Sequence, residues 1–271
     1  GLRAALEKVA SYKLLMKDFP INDVFTATEL PDLTDAVKNI FEHLKKSKNA
    51  NYPIIRYLRF IEAISRDVCS KVLEILKAMN YMTLSYDDFE RASSDCRTLF
   101  NSWDDLFMKF REVLRELGRK RKQGEDLPLI IKTDNSNIYD RVTYLQKWRR
   151  NHEELRRVIE KVLNEEGGSD LLQFMDKAYA QILVHDALAL SAENDQIWKS
   201  SMQTYNEQLE IVESHVKDIL RDRLAAAKSS NEMFRVFSKF NALFFRPKIQ
   251  GAIQEYQAQL IQRVKDDIEA L

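Results

Sequence analysis

Glycine and proline are scarce in this chain. Its 271 residues include 6 Gly and 5 Pro, about 4% together where average usage gives about 12%. Sandwiches, barrels and propellers turn every ~8–12 residues and use Gly and Pro to do so, so those classes are excluded. Phosphate-binding loops are excluded as well. The only adjacent glycines are Gly167-Gly168, and neither G-x-G-x-x-G nor G-x-x-x-x-G-K-[ST] occurs. Excess charge is missing too: 42 Lys+Arg face 42 Asp+Glu. A nucleic-acid binder driven by phosphate neutralisation needs a basic surplus, so no nucleic-acid partner is expected. No apolar run approaches the ~18–20 residues of a membrane span, and no membrane insertion is expected. The two cysteines, Cys69 and Cys96, lie within apolar helical patterns and read as buried thiols of a reducing compartment, not a disulfide framework. The chain opens at Gly1-Leu2-Arg3 and closes at Leu271, both inside helical patterns. No signal peptide is read there, and the chain reads as a piece of something larger.

What is present is helix. Hydrophobic residues make up 45% of the chain and charged residues 31%, a balance that suits long amphipathic helices with a broad wet face. The first helix is expected over 2–18, stopping at Phe19-Pro20, and 21–30 reads as a connector. Pro31 suits a helical first turn, with Val37, Ile40, Phe41 and Leu44 on one face. Pro53 opens the next helix after the turn-like Asn49-Ala50-Asn51. Its seam of Ile54, Leu58, Ile61, Ser65, Val68, Val72, Ile75 and Met79 is broken only by the serine. Ser85 and Asp88 resemble a capping box. The helix behind them carries Phe89, Ala92, Cys96, Leu99, Trp103, Leu106, Phe110, Val113 and Leu117, and is expected to end at Gly118 and the basic cluster Arg119-Lys120-Arg121-Lys122.

Residues 123–136 are the clearest connector, with Leu127-Pro128-Leu129-Ile130-Ile131 a candidate extended stretch. A helix over about 138–163 follows, its inner face Val142, Leu145, Trp148, His152, Leu155, Ile159 and Val162. After a break at 165–169 comes a weaker helix over 171–190, then a second break at 191–195. Trp198, Met202, Tyr205, Leu209, Val212, Val216 and Ile219 line the next long helix. Ser230 is expected to cap an aromatic helix over 233–245, interrupted by Arg246-Pro247. The last helix presents Ile249, Ile253, Tyr256, Leu260 and Val264, with Gly251 read as a point of close helix–helix approach. The fold class is therefore all-α: elongated, consecutive bundles of long antiparallel helices forming a rod. Its divisions are an N-terminal bundle at 1–125, a connector at 126–136 and a C-terminal bundle at 137–271. Seams spaced near 3.5 residues imply crossing angles near +20°.

Chemistry is sparse. The four histidines share no ligand spacing, and the Glu-x-x-His of di-iron bundles is absent, because Glu210 and Glu213 precede His215 at the wrong offsets. No metal, cofactor or catalytic residue is expected. His152 reads as a packed core histidine, and pairs such as Asp104-Asp105 as solvated faces. In the aromatic segment, Phe237, Phe240 and Phe244 suit a core stripe. Phe234 and Phe245 are left for a second neighbour, within the chain or from a partner. Phe245, Arg246 and Lys248 are the candidate partner-binding residues, because they flank Pro247 and cannot all face inward.

The stretch from Asn231-Glu232-Met233-Phe234-Arg235-Val236-Phe237 through Phe244-Phe245-Arg246-Pro247 resembles the N-terminal tail of cytoplasmic dynein heavy chains. So does Leu260-Ile261-Gln262-Arg263-Val264-Lys265-Asp266-Asp267-Ile268-Glu269. Leu14-Leu15-Met16-Lys17-Asp18-Phe19-Pro20, Glu62-Ala63-Ile64-Ser65-Arg66-Asp67, Trp103-Asp104-Asp105 and Trp148-Arg149-Arg150-Asn151-His152-Glu153-Glu154-Leu155 match in order. The resemblance spans nearly the whole chain, is weakest over 164–196, and favours cytoplasmic over axonemal dyneins. It implies a non-catalytic stretch of a motor subunit whose ATPase ring lies elsewhere, in a cytoplasmic, cytoskeleton-associated protein. The partners it implies are the intermediate chain's β-propeller, the light intermediate chain through neighbouring tail, a second heavy chain, and dynactin with a cargo adaptor. A stand-alone helical rod adaptor, spectrin-like or tethering-complex-like, is the alternative reading.

Overall fold

The structure is a computed structural model that describes residues 2–47, 52–121, 129–162 and 168–269. The expected turn at Asn49-Ala50-Asn51, residues 123–128 of the 123–136 connector and residues 165–167 of the expected break lie outside the described residues. Among the described residues there are helices and turns and no strand. Ten α-helices follow in order: α1 Leu2–Met16, α2 Asn22–Thr26, α3 Leu30–Lys46, α4 Ile54–Ala78, α5 Tyr86–Lys120, α6 Asn135–Val162, α7 Gly168–Leu183, α8 Ala192–Ala226, α9 Ser230–Phe240 and α10 Pro247–Glu269. Two compact units are present, Gly1–Gln146 and Lys147–Leu271.

Helix ends follow local chemistry, and several depart from the sequence reading. α1 stops at Met16 because Asp18 takes a left-handed φ of 54°, a conformation Asp and Asn tolerate better than other non-glycine residues. Asn80 does the same after α4, with φ 52°. The 21–30 segment is not purely a connector, since the five-residue α2 sits in it with Val24 buried. α7 ends at Leu183, well short of the expected 190, and α8 begins at Ala192 because the Ser191 hydroxyl caps it through the Asn194 N–H. Ser229, not Ser230, caps α9 by accepting from the Glu232 N–H. α9 also ends early, at Phe240, and continues as a 3₁₀ turn over Asn241–Leu243. Gly118 does not end α5; it is a buried residue of the last turns, and Arg121 is the C-cap. At Ser85 half of the capping box forms. The hydroxyl accepts from the Asp88 N–H at 3.3 Å and donates to the Asp88 carboxylate at 2.7 Å.

In the first unit, α3, α4 and α5 pack around aromatic rings that meet edge to face. Phe41 meets Trp103 edge-on at 5.2 Å, and Phe110 lies against both Phe41 and Tyr57. The α4 seam is buried from Ile54 through Ile75. The serine that interrupts it is a polar tie: Ser65, fully buried, donates to the Asn135 side-chain oxygen at 2.8 Å, and the Cys69 thiol meets the same oxygen at 3.0 Å. Both cysteines are free and buried, and burial pushes each thiol up to about 12. Gln146 accepts from Arg97 and donates to Glu90, fastening the end of this unit to α5.

The buried stripes drift along the two 35-residue helices. On α5 the core takes Phe89, Cys96 and Trp103 as expected, then Leu114 and Gly118 in place of Val113 and Leu117. On α8 it takes Val212 and Val216, then Leu220 and Leu224 in place of Ile219. A straight helix turns once per 3.6 residues and drifts about 20° per heptad against a 3.5 repeat. The expected 3.5 spacing therefore holds from Phe89 to Phe110 and from Trp198 to Val216, about five or six turns, and then gives way to the longer helix period.

In the second unit, the inner faces of α6, α7 and α8 meet Met233, Phe237, Phe240 and Leu243 from α9 and its 3₁₀ turn, and Ile249 and Ile253 from α10. Gly251 corrects the sequence reading: it is exposed, and a Cβ added there would meet nothing within 4 Å. It is a helix-interior glycine carrying only its entropic cost. Gly251→Ala should therefore raise stability by about 0.5–1 kcal/mol, read as a higher urea midpoint at unchanged slope.

Candidate interaction site at the Arg246 corner

The chain turns sharply between α9 and α10. The Phe244 N–H bonds the Asn241 carbonyl at 3.2 Å, and the Arg246 N–H bonds the Leu243 carbonyl at 2.9 Å. Pro247 then starts α10, where a missing N–H costs nothing and a fixed φ suits the first turn. The Arg246 carbonyl accepts from the Gln250 N–H at 2.9 Å, so the corner residue closes the first turn of α10.

The three candidate residues divide at this corner. Arg246 points inward and is 5% exposed. Its guanidinium pairs with the Glu213 carboxylate on α8 and donates to the Asn151 carbonyl on α6. Lys248 lies at the rim and reaches Glu210 at 3.1 Å, one turn before Glu213 on α8. Phe245 faces outward, 56% exposed, with the Arg246 guanidinium 5.4 Å from its ring centroid. Phe234 is 67% exposed. Phe237 and Phe240 are buried and Phe244 is half-buried, as the core stripe requires.

Deeper in the same unit lies a polar-aromatic node. His152 shares a 2.6 Å hydrogen bond with the Tyr205 hydroxyl, and Tyr179 stacks on Trp148 at 5.1 Å. Burial, then the nearby Arg149, Arg156 and Arg246, pull the His152 pKa down to about 4, so the ring is neutral at neutral pH. Burial raises the Tyr205 hydroxyl well above the ordinary tyrosine range. A cleft of about 310 Å³ opens beside the node, lined by Arg149, His152, Arg156, Asp176 and Tyr179 among others. Its cations are matched: Arg149 lies 3.5 Å from Glu153, and Arg156 meets Glu160 at 2.6 Å and Asp176 at 3.4 Å. A neutral histidine held by a tyrosine, beside paired charges, is a structural node and not an acid–base pair poised for proton transfer. Among the described residues no cluster of His, Cys, Asp or Glu could hold a metal ion, and no helix is long and apolar enough to cross a membrane.

The partners of Arg246 were not legible beforehand. Glu213 and Glu210 stand out in the sequence only for missing the Glu-x-x-His offset, and the Asn151 carbonyl leaves no sequence signal. The available clue is weaker: Glu210 and Glu213 share a helix face, and Arg246 and Lys248 bracket a proline.

All 271 residues match the family model described as dynein heavy chain, N-terminal region 1. The chain is 44% identical over 290 residues to the cytoplasmic dynein heavy chain of Dictyostelium discoideum, and 41% over 294 residues to that of Drosophila melanogaster. It is 36% identical over 288 residues to that of Caenorhabditis elegans. Each alignment covers 100% of this chain and 6% of the relative, so the chain spans a small part of the curated proteins it matches.

Two outcomes follow from the geometry. Arg246→Ala leaves the part-buried Glu213 carboxylate without its cation and should cost about 3 kcal/mol in urea unfolding, the low end for a broken buried pair, while Lys248→Ala at the rim should cost under about 1 kcal/mol. His152 supplies a pH dependence. Its folded-state pKa of about 4 lies below the ordinary 6.5, so the unfolded chain protonates first. This contribution, on the order of 3 kcal/mol, is complete above about pH 6.5 and is lost as pH falls toward 4. A His152→Gln variant should flatten that part of the stability–pH curve.

Proposed function

The chain belongs to the dynein heavy chain family as a segment of the N-terminal region, outside the ATPase motor domains, and from that premise we propose that it serves as an assembly scaffold. The segment is not itself catalytic. In this reading it helps hold the intermediate chain through its β-propeller and supports light-intermediate-chain attachment by neighbouring tail. It also contributes to a tail that pairs with a second heavy chain and attaches to dynactin and a cargo adaptor. In this reading the parent protein works on microtubules in minus-end-directed transport, and in the cytoplasm, the one location that the relatives' names carry.

The observation that carries this reading is the match over the whole chain. The helix chemistry fits it. α5 and α8 each run 35 residues with a buried stripe along them, so bending either helix breaks many contacts together. We read such long-helix bundles as a design that transmits force. Phe245 and Lys248 remain the surface candidates for a subunit contact, with Arg246 behind them as the group that holds the corner.

A heavy-chain tail containing this segment should co-elute with the intermediate-chain β-propeller in size-exclusion chromatography. Phe245→Ala with Lys248→Ala should weaken that association about tenfold, the effect of losing one anchor residue, with melting unchanged. A folded tail that shows no association contradicts the proposal.

A further inference from the structure

We propose that the outer face of α9 and its corner form a docking strip for an acidic amphipathic helix of a partner protein. The inference rests on the assembly reading above and names the chemistry of one partner. Along α9 the exposed positions Phe234, Arg235, Ser238 and Lys239 recur at helical spacing; Ala242 is exposed in the 3₁₀ turn and Phe245 at the corner after it. Phe234 on α9 and Phe245 at the corner are the two exposed rings of this region, with the small, exposed Ser238 and Ala242 between them in sequence. A helix laid along this strip approaches closely over the small residues while its apolar side chains meet the two rings. Phe245 is already set in place by the Arg246 guanidinium behind it, 5.4 Å from the ring centroid. A fixed anchor loses less freedom on binding.

The charges select the occupant. Residues 230–248 contain four cations, Arg235, Lys239, Arg246 and Lys248, and one carboxylate, Glu232. Glu213 and Glu210 match Arg246 and Lys248. Glu232 is engaged with the Lys228 N–H at 2.7 Å. Arg235 and Lys239 are exposed and form no ion pair among the described residues, so the strip carries surplus positive charge beside its aromatic rings. Two surplus cations are fewer than the roughly four to eight that read as anionic-lipid binding. Two exposed rings, one of them held by Arg246, with small residues between them, fit a protein helix better than a bilayer.

The test uses the 271-residue chain and three probes: a synthetic helical peptide with Leu at a and d and Glu at e and g, its counterpart with Lys in place of Glu, and phosphatidylserine vesicles. Isothermal titration should show binding of the acidic peptide, little of the basic one and none of the vesicles. Phe234→Ser with Phe245→Ser should weaken the acidic peptide by at least about tenfold, with the melting temperature unchanged because both rings are exposed. Arg235→Glu with Lys239→Glu keeps the rings and should reverse the preference toward the basic peptide. Equal binding of both peptides, binding of neither, vesicle binding without peptide binding, or a chain dimer abolished by the phenylalanine substitutions each overturns the inference. If the tail still associates with the intermediate chain in that event, this inference alone has failed and the assembly reading stands.

Discussion

A guanidinium removed from water has to be met by partners in place, and the second unit is organised around one that is. Arg246 is buried between the Glu213 carboxylate of α8 and the Asn151 carbonyl of α6. Its Nε has no acceptor among the described residues, so part of the desolvation cost stays uncompensated. Such a pair adds little net stability compared with well-packed apolar residues, yet breaking it is expensive. Its effect is to select an arrangement. Only when α6, α8 and the α9–α10 corner are in register do both partners meet the arginine, and any slip strands a buried charge. The outer ties between α8 and α10, such as Arg221 with Glu255 at 2.6 Å, are about half exposed and contribute much less.

The first unit solves the same problem with neutral groups. Ser65 and Cys69 converge on Asn135, and the Tyr81 hydroxyl meets the Ser93 hydroxyl at 2.6 Å. These ties lie inside an apolar and aromatic core and cost less to bury than a charge. Both units thus use a few long-range polar contacts to choose among the helix registers that an amphipathic stripe alone would permit.

The helical class, most helix positions and the core faces were legible because they rest on local signals: apolar periodicity, prolines at helix starts and a few capping residues. Val37, Ile40, Phe41 and Leu44, read as one face, are all fully buried. Errors arose where a signal was doubled or degenerate. Ser229 and Ser230 are adjacent potential caps, and only the first has Glu232 three positions on. Asp18 ends α1 in the left-handed region just ahead of Phe19-Pro20, the expected stop, and Asn80 does the same after α4 with neither glycine nor proline beside it. Gly251 suggested close packing, but a glycine on an open helix face has the same sequence appearance. The Arg246 clamp was illegible because its partners lie 33 and 95 positions away, and sequence spacing carries no information over such distances. The resemblance to dynein tails supplied the family, which no physical pattern in the chain could have named.

The two sides of the corner belong together in this account. Inside, Arg246 fixes the turn; outside, Phe245 is held against it, and the proposed docking uses it together with Phe234. Everything outside depends on the inner pair being a real constraint and not an incidental contact. A double-mutant cycle of Arg246→Ala and Glu213→Ala, followed by urea unfolding, measures that coupling directly. The account predicts a coupling free energy of roughly 2–3 kcal/mol, the upper range for residues in direct contact. A value below about 0.5 kcal/mol, as for independent sites, would contradict it.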